Sequence, residues 1–374
     1  MAKILVSAFS NLYTDQRIEK VCATLHGQGY EVELIGNDWG GAEAMQRPYS
    51  FSRIALRSKS LRFAYLEFNY KLYKVLKQKA DGNTILLAND LDALWPNVRV
   101  AKEKAIPLVF DSHEIFTEMP AINGRWTQKV WRWLEKRLLP GMKYMMTESF
   151  SYAEWFKAKY AVDPVVVRNI PRRISEAISI QGNTAPKVVL YQGVINQSRG
   201  LAQAILAMRF VPDAVFKIAG DGPMRKTYEA LVDREGLRDK VRFVGKLTPE
   251  NLRALTKTAD VGLSLEENGG VSYLYSLPNK VADYIQSKVP LVMINFPEML
   301  RVYKDYKVGE VVTDHRPETI ALAINKVLEK GRAHYAEELD RAAAVLCWEM
   351  EEPKILDLFA KVERENFGGI GRTV

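Results

Sequence analysis

The feature that most limits what this chain can fold into is an alternation that runs through it twice. Short apolar runs end in a polar or glycine-bearing turn, and a helical stretch follows before the next run. In the first half the runs are Lys3–Ser7, Glu31–Ile35, Thr84–Ala88, Pro107–Phe110, Met142–Glu148 and Val165–Arg168. Helices are expected from Thr14-Asp15, which can cap, to the stop at Gly29, and over about 92–104, 127–138 and 151–159. Apolar strands separated by helices are the pattern of a parallel sheet covered on both faces and wound by right-handed crossovers. Residues 170–186 break the pattern with two prolines, a glycine and polar residues, and read as a linker. The alternation then restarts with runs at Val188–Gln192, Ala214–Ala219, Val241–Val244, Val261–Leu265, Pro290–Ile294 and Gly309–Val312. Helices are expected over about 199–208, 223–235, 249–258, 278–287, 317–330 and 335–345. The expected fold class is α/β, with two Rossmann-like parallel-sheet domains facing across a cleft. Residues 1–172 would form the first domain and 187–345 the second, with a helix over about 350–368 packing back on the first. Sheets of this kind bind ligands outside the carboxyl ends of their strands.

Composition removes several classes. The chain has 374 residues, 47% of them apolar, which is too many for a disordered chain. No stretch reaches about 18 uninterrupted apolar residues, so no membrane span is expected, and the N-terminal apolar run is too short for a signal peptide. Two cysteines, Cys22 and Cys347, suggest a reducing, cytoplasmic compartment. Four scattered histidines argue against a histidine-held metal. The net charge of +8 lies wholly in residues 1–173, where 26 Lys and Arg face 18 Asp and Glu. Two helical stretches there mix aromatic and basic residues. Over 60–79, Leu61, Tyr65, Phe68, Leu72, Val75 and Leu76 recur at helical spacing beside Lys71, Lys74 and Lys77; over 126–145, Trp126, Trp131 and Trp133 accompany Lys129, Arg132, Lys136 and Arg137. Such helices suit an anionic membrane surface, here the inner face, and they suit equally an ordinary domain helix burying its apolar stripe. No nucleic-acid-binding motif accompanies them.

The chemistry-bearing windows lie after strands. In the stretch 276–292, Ser276 can cap a helix, Pro278 suits its first turn, and Asn279, Lys280 and Asp283 follow. A helix start offers unpaired N–H groups to a phosphate, and Lys280 in the first turn is unfavourable unless an anion sits there. Glu266 and Glu267 can hold sugar hydroxyls, and Gly269 and Gly270 allow close backbone approach to a ligand. The stretch from Tyr191 to Gly200 carries Gly193 and Arg199, whose planar fork recognises phosphate, and Gly220 to Pro223 makes a further glycine turn around Gly222. In the first half, Asp111-Ser112-His113-Glu114 closes a buried strand and places His113 where it can bond a substrate.

At these residues the sequence resembles the GT-B glycosyltransferases, and among them the retaining enzymes of family 4. The resemblance is carried by Asp15-Gln16-Arg17 and the stretch 25–35, by Asn89-Asp90-Leu91, by D-S-H-E at 111–114, and by residues 134–137 and 167–171. The second half adds Y-x-G…R-G at 191–200, G-x-G-P at 220–223, F-x-G at 243–245 and P-x-K…D-Y at 278–284. The resemblance implies that the second domain holds a nucleotide diphosphate sugar. Asp283 takes the place of a ribose-binding Glu and Arg199 that of a phosphate-binding Lys. Gly193 lies in the donor loop, Lys280 near the diphosphate, Lys246 and Leu247 beside the base, and His113 near sugar and phosphate. Asp15, Arg17, Asp90 and Glu114 fall on the acceptor side. Three positions depart from the family pattern: Tyr275 stands where a Glu is common, Asp283 replaces Glu, and Val194 replaces Arg.

The implied reaction moves the sugar to a hydroxyl of a glycan or lipid-linked acceptor with retention, as in surface polysaccharide or glycolipid synthesis. Arg199, Lys280 and a helix N-terminus would carry the leaving group's charge, with no metal and no other cofactor. Two other readings share the architecture: a nonhydrolysing sugar-nucleotide epimerase, and a catalytically silent sugar-nucleotide-binding scaffold suggested by Tyr275 and Val194.

Overall fold

A computed structural model describes all residues except 14, 38–44, 59, 177, 179, 181–185 and 369–374. The chain divides into two compact units. One comprises Met1–Arg168 together with the segment from Glu351 onward, and the other is Asn169–Met350.

The first unit is built on a parallel sheet of β1 (Lys3–Asn11), β2 (Glu31–Asn37), β3 (Ser50–Ile54), β4 (Thr84–Asn89), β5 (Leu108–Ser112), β6 (Tyr144–Thr147) and β7 (Val165–Val166), in the order β3-β2-β1-β4-β5-β6-β7. Helices α1 (Gln16–Gly27), α2 (Leu61–Lys79), α3 (Leu91–Lys104), α4 (Trp126–Leu138) and α5 (Phe150–Tyr160) make the crossovers. Every residue of β4 is buried, which accounts for its unbroken apolar run. Helix α1 starts where the sequence allows a cap: the Asp15 carboxylate accepts from the Ile18 N–H at 3.1 Å. Helix α2 buries Ala64, Phe68, Leu72 and Leu76 against the sheet, whereas Leu61 and Tyr65, also on the expected stripe, are not buried. Its core joins these to Leu5, Ile35, Leu86 and Val100.

The second unit repeats the plan with β8 (Lys187–Gln192), β9 (Ala214–Ala219), β10 (Val241–Gly245), β11 (Val261–Ser264), β12 (Leu291–Ile294) and β13 (Gly309–Val312), ordered β10-β9-β8-β11-β12-β13. Its helices are α6 (Leu201–Ala207), α7 (Arg225–Arg234), α8 (Pro249–Lys257), α9 (Val271–Tyr275), α10 (Asn279–Gln286), α11 (Pro297–Asp305), α12 (Pro317–His334) and α13 (Ala336–Val345). The last helix, α14 (Glu352–Phe367), belongs to the first unit. It buries Ile355, Leu358, Phe359 and Val362, and its Glu363 accepts from the Ala2 N–H at 2.8 Å and the Tyr30 hydroxyl at 3.1 Å.

In both sheets the strand order reverses beside the first strand of the unit, between β1 and β4 and between β8 and β11. That reversal opens a crevice at the carboxyl ends, because the crossovers on either side leave to opposite faces. The strip after β4 and β5 and the strip after β8 and β11 therefore border the two crevices.

Candidate active site

In the first unit, the strip beyond β4 and β5 gathers Asn89, Asp90, Asp111 and His113. Asp90 adopts φ +59°, a conformation costly for a non-glycine residue, and is held there by bonds at both ends. Its N–H donates to the Asp111 carbonyl at 2.8 Å, and its carboxylate accepts from the His113 N–H at 2.9 Å. The His113 ring faces acceptors on both sides. Nε2 lies 3.1 Å from Asn89 Oδ1 and 3.3 Å from Asp111 Oδ2, and Nδ1 lies 3.4 Å from Asp90 Oδ2. Burial opposes charge on the ring, but Asp90 and Asp111 outweigh it and push His113 up to about 10. Asp111 is itself buried, which disfavours its charge; Arg17 and His113 outweigh that and hold it well below the usual carboxylate range. Burial pushes Glu148, just beyond β6, up to about 8.

Arg17, expected on the acceptor side, is buried beneath this strip. Its Nε and Nη2 grip the Asp111 carboxylate at 3.0 and 2.6 Å, and Nη1 donates to the Val167 carbonyl at 2.6 Å. Asp15 caps α1 from its N-terminus. Glu114 is half-buried, and its carbonyl accepts from the Ser112 hydroxyl at 2.7 Å.

In the second unit, backbone bonds stitch the loops beyond β8, β9, β10 and β11 together. Gly193 N–H donates to the Ala219 carbonyl at 3.0 Å, Gly220 to Gly245 at 2.8 Å, Ile195 to Asp221 at 2.9 Å and Glu267 to Ser198 at 3.0 Å. Gly220 sits at φ +143°, where a Cβ would lie 1.9 Å from the Gly193 carbonyl oxygen, so no other residue fits. At Gly222 a Cβ would lie 2.3 Å from the Ile195 oxygen.

Glu266, just past β11, is the hub of this strip. It is fully buried and accepts from the Lys280 ammonium at 2.6 Å and the Ser264 hydroxyl at 2.8 Å, with Arg199 Nη1 at 3.8 Å. Burial disfavours its charge, yet Lys280 and Arg199 outweigh that and hold it below the ordinary carboxylate range. Lys280 therefore has its anion within the protein, where the sequence suggested a bound one. Arg199 stacks on Tyr273, 4.5 Å from the ring centroid, and donates to its hydroxyl at 3.2 Å, while Arg199 Nε is buried with no hydrogen-bond partner. Asp283 accepts from Gln192 Nε2 at 3.0 Å, which ties α10 to the end of β8.

The expected cap does not form. Pro278 occupies the N-cap of α10 without a side-chain bond, and the Ser276 hydroxyl donates instead to the Tyr273 carbonyl at 3.1 Å. The reason is the short helix α9, which ends at Tyr275 and takes Ser276 into its own terminus. Asn279 and Lys246 are exposed, Leu247 packs at the core's edge, and Gly269 and Gly270 lead into α9. Val194, in the place of a family Arg, is exposed. His315 had no signal in the sequence. Its Nε2 lies 3.1 Å from the Leu265 carbonyl and 3.2 Å from that of Glu266, so it braces the hub. Tyr191, which opens the Y-x-G motif, and Tyr273, which the sequence did not single out, lie under the two cations, with Lys280 Nζ 4.2 Å from the Tyr191 ring.

Two family models tile the chain. "Glycosyltransferase Family 4" matches residues 16–175 and "Glycosyl transferases group 1" matches 174–344. The chain belongs to the group 1 glycosyltransferases. Among curated relatives, this glycosyltransferase chain is 29% identical over 147 residues to an uncharacterized glycosyltransferase of Methanocaldococcus jannaschii, covering 38% of this chain and 36% of that protein. It is 28% identical over 148 residues to the alpha-D-kanosaminyltransferase of Streptomyces kanamyceticus, with the same coverages. It is 41% identical over 58 residues to a lipopolysaccharide core biosynthesis glycosyltransferase of Rhizobium meliloti, 16% of this chain and 17% of that one. The first two matches thus span about a third of the relatives' length. Among solved structures, a sucrose-phosphate synthase from Thermosynechococcus elongatus superposes with a TM-score of 0.80 at 15% identity, over 98% of this chain and 100% of that one. Anabaena HepE, solved with UDP and glucose, gives 0.74 at 14% identity over 96% and 100%. These likenesses agree with the two parallel-sheet units in giving the GT-B fold.

Proposed function

We propose that the chain transfers a sugar, with retention, from a nucleotide diphosphate sugar bound at the carboxyl ends of β8–β11 to a hydroxyl of a glycan or lipid-linked acceptor. One observation carries this reading: Arg199 and Lys280 converge on a single carboxylate, and Arg199 keeps a buried, unbonded N–H. Two cations against one anion leave the Glu266 hub short of negative charge, and an unpaired buried donor is costly until something accepts from it. A diphosphate supplies both the charge and the acceptors. The uncapped N-terminus of α10, beside Lys280, adds free N–H groups and the positive end of a helix dipole.

As the bond from sugar to phosphate lengthens, charge grows on the leaving oxygen. The Arg199 fork and the Lys280 ammonium would stabilise it without a metal ion. Asp283, fixed by Gln192, would accept from the ribose hydroxyls, and the Gly193 and Gly222 loops would let the phosphates approach the backbone. The acceptor hydroxyl then attacks on the departing face and gives its proton to the phosphate oxygen. Named relatives and neighbours support the class: a lipopolysaccharide core enzyme, a kanosaminyltransferase and a structure holding UDP and glucose.

Melting the chain with UDP, GDP, ADP, CDP and dTDP, with and without EDTA, tests the reading. A nucleotide present at 100 times its dissociation constant stabilises by about 2.7 kcal/mol, a shift of several degrees. A shift with one nucleotide, unmoved by EDTA and lost in Arg199→Ala, is expected. No shift with any nucleotide, or no nucleotide release on adding acceptor to the matching sugar nucleotide, would sink it.

A further inference from the structure

We infer that the outer faces of α2 and α4 form a docking surface for an anionic lipid bilayer. The inference stands on the first unit alone and is independent of what the second unit binds.

Helix α2 is apolar on both sides. Opposite its buried stripe, Phe63, Leu66 and Tyr70 lie at 65%, 70% and 58% exposure. Helix α4 is inverted. Its inner face buries Gln128 and Glu135, and the polar groups are satisfied there: Gln128 Nε2 donates to the Thr117 carbonyl at 2.8 Å, and Glu135 accepts from the hydroxyls of Thr117 and Tyr160. Its outer face presents Trp126, Val130 and Trp133 at positions i, i+4 and i+7, with 60%, 50% and 64% exposure. Trp131, which the sequence grouped with these, turns inward and packs edge-on to Tyr65 and Phe116. A helix facing only water carries the reverse arrangement.

The two outer faces are one patch, because the Arg62 guanidinium lies 5.1 Å from the Trp126 ring and the Tyr65 and Trp131 rings meet at 5.2 Å. Its charge has one sign. Lys129, Lys136 and Arg137 alternate with the tryptophans on α4 and have no acidic partner among the described residues, whereas Arg132, nearer the core, is paired with Glu118. Lys74 lies over the Tyr70 ring. Unpaired cations around exposed indole and phenol rings match a bilayer interface in both respects. Rings settle at headgroup depth, and the cations meet lipid phosphates. The whole positive excess of the chain lies in this half. An acidic protein would satisfy the cations but leaves no reason for the inverted, tryptophan-bearing face of α4.

The test is flotation of the full chain with phosphatidylcholine vesicles, with and without about a third phosphatidylglycerol, over a salt series. Binding is expected only to the anionic vesicles, falling as salt rises, with a blue shift in tryptophan emission. Each cation near the surface contributes about a fivefold factor, so the K129Q/K136Q/R137Q variant should bind on the order of a hundredfold more weakly. The F63S/W126S/W133S variant should lose the blue shift and retain only a salt-sensitive remainder. All six side chains are exposed, so both variants should melt like the parent. Three results would overturn the inference. They are no binding to anionic vesicles, equal binding by the triple glutamine variant, and a dimer in sedimentation that W133S dissociates while vesicles are ignored.

Discussion

Replacing Glu266 by Gln, or Lys280 by Met, should separate stability from binding at the hub. Lys280 is only 8% exposed and Glu266 not at all, and the two meet at 2.6 Å. Removing one partner of such a pair leaves an uncompensated buried charge, at a cost of about 3–5 kcal/mol. For a unit of this size that lowers the melting temperature by roughly 10 °C. The two variants should diverge when nucleotide is added. Glu266→Gln leaves Lys280 and Arg199 without their anion, so a diphosphate restores much of the loss and its melting shift exceeds the parent's. Lys280→Met leaves the carboxylate in place, repels the diphosphate, and gives no shift. The double variant should lose less than the sum of the single losses, because neither charge is stranded opposite the other. Scanning calorimetry of the four proteins with and without the nucleotide found by screening reads all of this. Additive single losses, or equal nucleotide shifts in the two single variants, would refute the idea that a bound diphosphate competes with Glu266 for the same cations.

Arg17→Met should lower the urea midpoint by the equivalent of about 3–5 kcal/mol, since it strands the buried Asp111; a change under about 1 kcal/mol would show that pair to be dispensable. His113 is raised from 6.5 to about 10 on folding, so its contribution to stability is complete below about pH 6.5 and is lost as pH climbs through about 10. Nitrogen NMR should accordingly find its ring as imidazolium at pH 8, and His113→Gln should flatten the alkaline fall in melting temperature; a neutral ring at pH 8 would contradict the assignment. Gly220→Ala forces a methyl group against the Gly193 carbonyl and should cost at least about 3 kcal/mol together with the nucleotide shift, read by the same melts.

The sheets were legible because buried parallel strands are apolar without interruption. The runs at 84–88, 214–219 and 309–312 correspond to β4, β9 and β13 within a residue or so. Strand β3 gave no such signal, since Ser-Phe-Ser-Arg-Ile lies at the sheet edge with most residues partly exposed. Helix α9 has five residues, too few for a full apolar period, and α11 starts only two residues after β12 with no separating turn signal. At the candidate site, the glycine turns, Arg199, Glu266 and Lys280 could be found from residue type and position after strands. What residue type does not encode is pairing across the fold. That Lys280 answers Glu266, that Arg17 clamps Asp111 across 94 positions, and that His315 braces β11 depend on which loops the topology brings together. Ser276 shows the same limit locally, because a five-residue helix claimed it before α10 began.

Helix α14 also fixes an order of events during synthesis. The first unit lacks a helix until the ribosome has passed residue 367, although its sheet is complete at Val166. At 5–20 residues per second the delay is roughly 10–40 s. Through that interval Ala2, Tyr30 and Tyr144 wait for Glu363 and Glu365, and the apolar surface that Phe359 will cover stays open to water. The second unit, continuous from 169 to 350, has every residue it needs before then. The half of the chain made first is therefore the half finished last. A nascent chain that has emerged from the ribosome only as far as residues 350–367 would present a folded second unit together with an open first one, the state in which a chaperone has most to hold.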